Sequence, residues 1–482
     1  MQKYKKLIFS PLQCLFKRIY LRLILNKDVH YFDFAASSPA LECIEKEMQT
    51  QLKNYANLHS KESSNAMKST AAYENARQEI KKSLKLPDNY ALIACGHGAT
   101  SAIKKFQELQ SLWLPHSLKE RLLKISQKED LPLVILSPYE HHSMELSFRA
   151  CLCELEHLEL INGELDLNKL ARSLKLHRAK TPKRPIYLCI SAASNVTGQR
   201  SNLARLSELA QTYSCLRAID LSAIIAHENV EPSYFDAGFI SSHKVLGAPS
   251  SPGLLVIKKA LLPNMPSYPA GGVVRFIDTK SAEFIEGKEQ REEPGTAPIL
   301  GLIKAGLAFS LRSKYLAEMS AKEAALTSYF FQAFLRFKRD CDAVLYAFHI
   351  KNRLPIFSLN VLGFSPFFLA RKLSDDFGIQ SRAGCACAAS FAAFLLNNEG
   401  GFYKKNLGNG PSYGRFDCGR FDYGQNSHSQ GYSQNLQAQF SAQNPPAFLR
   451  FSFSFLNTNA DIDYLFASLT RICQKSPIHA RS

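Results

Sequence analysis

The sequence predicts an α/β fold: a helix-covered, largely parallel sheet followed by a smaller α+β domain. Three observations lead there. From about residue 31 to 310, short β-branched or apolar runs alternate with longer stretches of i, i+3, i+4 apolar spacing. After Leu300 the pattern changes to one long helix-rich stretch and then to strand-like runs. The chain has 482 residues, 46% of them apolar, enough for a large core in two or three domains at ~150 residues each. Wholesale disorder, a collagen and a disulfide-stapled mini-protein are thereby excluded.

Taken in order, Tyr90 to Ala94, Leu133 to Leu136, Pro185 to Ile190, Leu216 to Asp220, Ala237 to Ile240 and Leu254 to Ile257 read as buried strands. Helix-period segments separate them, so ligands are expected at the carboxyl ends of the strands. Ile303 to Phe337 reads as a long helix, with strands at Ala343 to His349 and Ile356 to Val361. Residues 397–446 are rich in Gly, Asn, Gln, Ser, Tyr and Phe and cannot bury enough apolar surface to fold alone, which predicts a mobile insertion. Ordered sequence resumes at Phe448 to Phe455, with a helix to about Ile472. The resulting division is a basic segment over residues 1–30, a large domain over 31–300, and a small domain from 301–396 and 447–474.

Charge is unevenly spread. The formal net charge is +17, but residues 1–27 carry seven Lys or Arg and no acid, and residues 171–184 carry six and no acid. The remainder is nearly balanced, 46 basic against 42 acidic. The N-terminal run is too interrupted by Lys17, Arg18 and Arg22 to span a bilayer, and it fits a basic amphipathic helix. Packing on the domain is preferred for it, with peripheral contact to anionic lipid as the alternative. The 12 cysteines are scattered and include two Cys-x-Cys pairs but no C-x-x-C, which fits reduced thiols in a cytoplasm and offers no metal site. Cys151 and Cys153 read as core residues on one face of a strand.

Four strand ends carry the chemistry. Ser241-Ser242-His243-Lys244 precedes a Gly/Pro-rich turn, Asp220 ends a strand, Gly98-Ala99-Thr100 lies between a strand and a helix, and Asn195 follows another strand. Pyridoxal phosphate needs an amine for a Schiff base, a carboxylate for its ring nitrogen and a helix N-terminus for its phosphate. Lys244, Asp220 and the turn at Gly98 to Thr100 supply these in order. An Asp beside the ring nitrogen keeps it protonated, and a freed lysine amine is the natural base for an α-proton.

These residues, with Tyr31 to Ser38, Tyr55 to Ser60, Glu140-His141-His142-Ser143, Ser194-Asn195, Arg291 to Thr296 and Arg382-Ala383-Gly384-Cys385-Ala386-Cys387-Ala388, resemble the class V aminotransferases. This is a branch of the fold type I pyridoxal phosphate enzymes, and the similarity is strongest to cysteine desulfurases and selenocysteine lyases. It runs from Tyr31 to about Phe394 and resumes at Ala447. It implies a mostly parallel seven-stranded sheet in the large domain, a homodimer, L-cysteine or a related amino acid as substrate, and a sulfur-acceptor protein as partner.

By this resemblance Lys244 is the Schiff-base lysine, Asp220 the ring-nitrogen partner, and Asn195 a donor to the ring hydroxyl. Ala99, Thr100, Ser241 and His243 would hold the phosphate, with Thr296 reaching it from the second subunit. His141 would stack on the ring, the alternative being a helix cap or a merely buried histidine. Arg382 would pair bidentately with the substrate carboxylate. Cys387 falls on the desulfurase nucleophile, against the alternative of a small packing residue. Cys385 stands where many relatives have histidine, either as a plain replacement or as a resolving thiol. Ala223 replaces the family's usual Gln three residues after the Asp, which removes one polar contact to the cofactor.

The resemblance thus implies conversion of L-cysteine to L-alanine with a persulfide on Cys387. Another class V activity (selenocysteine lyase, aminotransferase or epimerase) remains open, as fold does not fix function. A basic RNA- or partner-binding protein is the third reading. Against nucleic acid stand the few Arg in the insertion and the lack of any recognisable RNA-binding module.

Overall fold

The computed structural model describes residues 21–58, 60, 62–398 and 447–474. Residues 397 and 398, expected to open the insertion over 397–446, instead close the helix Ala389–Asn398; the rest of that insertion and most of the basic helix expected over 1–27 lie outside the described residues. Where the N-terminal segment is described, it packs on the large domain. Leu21 and Leu23 lie against the core, Leu23 bridges to Leu41, and the Glu42 N–H donates to the Arg22 carbonyl.

The large domain centres on a seven-stranded sheet. Its order is Tyr90–Cys95, Gly253–Lys258, Ala237–Ser241, Leu216–Asp220, Ile186–Ser191, Leu133–Leu136 and Glu154–His157. Gly253–Lys258 runs antiparallel to both neighbours and every other pair is parallel. The physical reason is the link from Ser242 to Pro252, which is too short to hold a crossover helix. Runs such as Leu133–Leu136 and Ile186–Ser191 are buried at every position because helices cover both faces. The edge strand Glu154–His157 is half-buried and polar, which hid it from the apolar pattern. Cys151 and Cys153 precede that strand in a bend, so the strand expected for them is corrected. They do pack against the core, and burial pushes both thiols up to about 12.

The helix Ile299–Asp340 serves both domains. Its first half, from Ile299 to Leu311, joins the large-domain core, while Leu326, Phe330, Phe334 and Phe337 join the small-domain core. The expected boundary at residue 300 therefore falls at the start of a helix that ties the two units together. His30–Tyr31 likewise crosses over, pairing in parallel with Ile379–Gln380, and Phe32 lies in the small-domain core. That domain has a four-stranded antiparallel sheet ordered Ala343–Leu345, Ile356–Val361, Phe448–Ser452, Arg382–Gly384. The strand expected to reach His349 stops at Leu345, and Ala347 beyond it takes the left-handed φ of 51°.

Half of the second charge excess is used internally. Arg184 is buried and donates to the carbonyls of Leu131 and Lys128 and to Glu154, and Arg178 donates to four carbonyls. Lys180 pairs with Glu129. No described helix is long and apolar enough to cross a membrane.

Candidate active site

The carboxyl ends of the parallel strands converge as the sequence predicts. After Cys95 the chain turns at Gly98 (φ +59°) into the helix Gly98–Leu109. Gly253 passes so close that a Cβ there would lie 1.8 Å from the Gly98 carbonyl oxygen, so only glycine fits. The Ala99 N–H donates to Ser241 Oγ at 3.0 Å, and Thr100 Oγ1 lies 2.6 Å from Ser143 Oγ. His243 closes the same cradle. A Cβ on Gly98 would lie 3.3 Å from Ser241 Oγ and 3.6 Å from His243 Nε2. Burial, with nearby Lys244, lowers the His243 imidazole to about 4. N–H groups and hydroxyls gathered at a helix N-terminus suit a phosphate. Ser143 belongs to this cradle although the sequence assigned it no role.

Lys244 ends the short turn Ser242–Lys244 that follows strand Ala237–Ser241, and Asp220 ends the adjacent strand. Burial lowers the Lys244 ammonium to about 8. Asp220 opposes that shift, while Arg450 and Arg382 add to it. Asp220 is buried, and its Oδ1 accepts from the Ser222 N–H at 2.8 Å.

His141 does cap a helix: its Nδ1 accepts from the Ser143 N–H at 3.1 Å at the start of His142–Ala150. Accepting at Nδ1 places the proton on Nε2 and leaves both ring faces free of the cap. Burial, then Lys244, lowers its pKa to about 3, so the ring is neutral at ordinary pH. Glu140 just before it is buried and binds the Ser191 N–H at 2.8 Å, the Ser191 hydroxyl at 2.6 Å and the Ser137 hydroxyl. Burial raises its carboxyl to about 7. It ties the strand end carrying His141 to the one carrying Asn195.

The small domain supplies the opposite wall. Arg382 and Arg450 are direct partners across two antiparallel strands, and such like charges repel unless something lies between them. Asp33 does. Its Oδ1 accepts from Arg450 Nη2 at 2.7 Å, and its Oδ2 accepts from Arg382 Nη2 at 3.0 Å and Nε at 3.1 Å. Arg450 also donates to the Asn195 carbonyl at 2.9 Å, while its buried Nε has no partner. The sequence assigned no role to Arg450 or Asp33. The available signal was a lone Arg in the apolar run Phe448 to Phe455.

Cys387 is exposed, which removes the reading of it as a small packing residue. It lies within electrostatic reach of both Arg382 and Arg450. Its turn is closed by the Ala388 N–H donating to the Cys385 carbonyl at 3.0 Å, with Ala386 and Cys387 both left-handed at φ 49° and 56°. Asn195 Nδ2 donates to the Ala386 carbonyl at 2.7 Å, so the residue expected to face the cofactor also holds the thiol turn. Cys385 is half-buried against the core. Thr296 is exposed on the loop before the long helix. Ala223 is half-buried and packed against the core.

An amine drawn toward its neutral form beside a carboxylate, with a phosphate cradle one strand away, defines a site of the fold type I class, and these residues fit pyridoxal phosphate. Comparison with known proteins gives the family. The family model for aminotransferase class-V matches residues 30–465. A cysteine desulfurase of Escherichia coli (strain K12 / DH10B) is 28% identical over 271 residues, covering 54% of this chain and 63% of that protein. The apo cysteine desulfurase from Thermococcus onnurineus NA1 superposes with a TM-score of 0.71 at 18% identity, over 95% of this chain and 100% of that one. The Escherichia coli cysteine desulfurase CsdA gives 0.65 at 20% identity, over 92% and 94%. The chain therefore belongs to the aminotransferase class-V family, a family of pyridoxal phosphate-dependent enzymes.

Proposed function

We propose that this protein is a cysteine desulfurase that converts L-cysteine to L-alanine and leaves the sulfur as a persulfide on Cys387. The observation that carries this reading is the exposed Cys387 on a held turn beside Arg382 and Arg450, in the same site as Lys244 and Asp220. When bound, pyridoxal phosphate supplies an electron sink for the carbanion formed at the substrate's Cα. Ala99, Thr100, Ser241 and His243 would hold its phosphate, Asp220 would favour the charged form of its ring nitrogen, and His141 would lie against its ring.

Arg382, whose side chain is partly exposed, binds the substrate carboxylate. The Lys244 amine, which burial draws toward its neutral form, takes the α-proton. The Cys387 thiolate then attacks the substrate sulfur. The substrate's C–S bond breaks, an S–S bond forms on Cys387, and the carbon skeleton leaves as alanine once protonated. Thr296 completes the phosphate site of a second copy in a homodimer, and its exposure supports that role. The persulfide is passed to an acceptor protein.

The test is alanine and sulfide production from L-cysteine with a reductant present. Wild type should yield both in equal amounts, and Cys387→Ala should lose turnover by at least ~10²-fold, the scale of a missing nucleophile. Unchanged turnover in Cys387→Ala would contradict the persulfide route.

A further inference from the structure

Two consecutive non-glycine residues in the left-handed region are rare, and such backbone persists only where its surroundings over-determine it. Ala386 and Cys387 form such a pair. Asn195 holds Ala386. The grip on Cys387 comes from the other side of the site, from His142, to which the sequence assigned no role beside His141.

The His142 backbone N–H donates to the Cys387 carbonyl at 2.7 Å, and its ring Nε2 accepts from the Ala389 N–H at 3.1 Å. One residue thus brackets the thiol turn. Ala389 opens the helix Ala389–Asn398, so its N–H is one of the donors a helix start leaves unsatisfied, and the imidazole meets that need. His142 is itself the first residue of the helix that His141 caps. The ring-facing residue and the thiol clamp therefore share one rigid helix start, and the position of Cys387 is set relative to the cofactor pocket.

We propose that His142 is a positioning residue for Cys387: its backbone and ring fix the left-handed turn so that the thiol meets the substrate sulfur. This rests on the desulfurase reading for its consequence, but not for its geometry. Gln offers an acceptor oxygen as many bonds from Cβ as His Nε2, whereas Ala offers none and keeps only the backbone bond.

The experiment uses holoenzyme of wild type, His142→Ala, His142→Gln and His142→Ala/Cys387→Ala. His142→Ala should lower kcat for alanine formation by about tenfold, since small misplacements of reacting groups are costly, with KM for cysteine and the visible absorbance of the bound cofactor unchanged. His142→Gln should recover to within about threefold of wild type, as it restores the hydrogen bond. The double variant should be no slower than Cys387→Ala alone. Alkylation of Cys387 by iodoacetamide, followed by peptide mass, reads the turn without catalysis, and its rate should change at least ~threefold in His142→Ala but not in His142→Gln. An unchanged alkylation rate in His142→Ala, or a kcat loss that Gln fails to restore, would overturn the proposal. Should Cys387→Ala keep full turnover, the desulfurase reading falls and alkylation alone decides the role of His142.

Discussion

The two walls of the site are built by different means. The cofactor wall sits on adjacent strand ends, where sheet register places Lys244, Asp220, Ser241 and the Gly98 turn with little dependence on any single side-chain bond. The thiol wall is drawn from three distant parts of the sequence, Asp33, Arg382 with Cys387, and Arg450, and is held by ion pairs and a left-handed turn. The first is a property of the fold. The second is a property of particular residues, so it is where one substitution can change the reaction while the cofactor site survives.

That contrast can be tested from its strongest consequence downward. Capture of pyridoxal phosphate by apo-protein requires the neutral Lys244 amine. Because burial lowers that amine to about 8, the rate should rise about tenfold per pH unit below 8 and level off above it. Stopped-flow absorbance measures this, and a rise continuing toward the ordinary lysine value would show that the amine is not perturbed. His141, lowered to about 3, should add no inflection between pH 5 and 8.

On the thiol wall, Arg450→Ala leaves Asp33 buried with one of its two cations gone, and breaking such a pair costs about 3–5 kcal/mol. A denaturant midpoint unchanged from wild type would break the view of Asp33 as the linchpin of this wall. A smaller effect is expected for Arg382→Lys, whose side chain is 44% exposed. Its stability should change by no more than about 1 kcal/mol, while KM for cysteine rises about tenfold because Lys cannot form the bidentate pair.

The same contrast explains what could be read from the sequence. Leu133–Leu136 was legible to the residue because a strand buried on both faces is an unbroken apolar run, and Leu216–Asp220 and Ile356–Val361 were equally legible because their apolar residues dominate despite Arg217, Ser358 and Asn360. Glu154–His157 was not, since an edge strand need not be apolar. Lys244, Asp220, Ala99 and Ser241 stand at strand ends, where position in the pattern carries meaning. Arg450 sits in a strand whose Leu449 and Phe451 face the small-domain core and whose Phe448 faces the large one. Only the tertiary placement of Asp33 and Asn195 beside it shows what the guanidinium does. His142 is legible only through hydrogen bonds to a turn some 245 residues away.

The most direct measurement of the central claim is the mass of the Cys387 peptide from holoenzyme incubated with L-cysteine and quenched before any reductant is added. The account predicts a peptide heavier by one sulfur atom, formed in step with alanine and absent in Lys244→Ala. Alanine released at the wild-type rate with Cys387 unmodified throughout would contradict it.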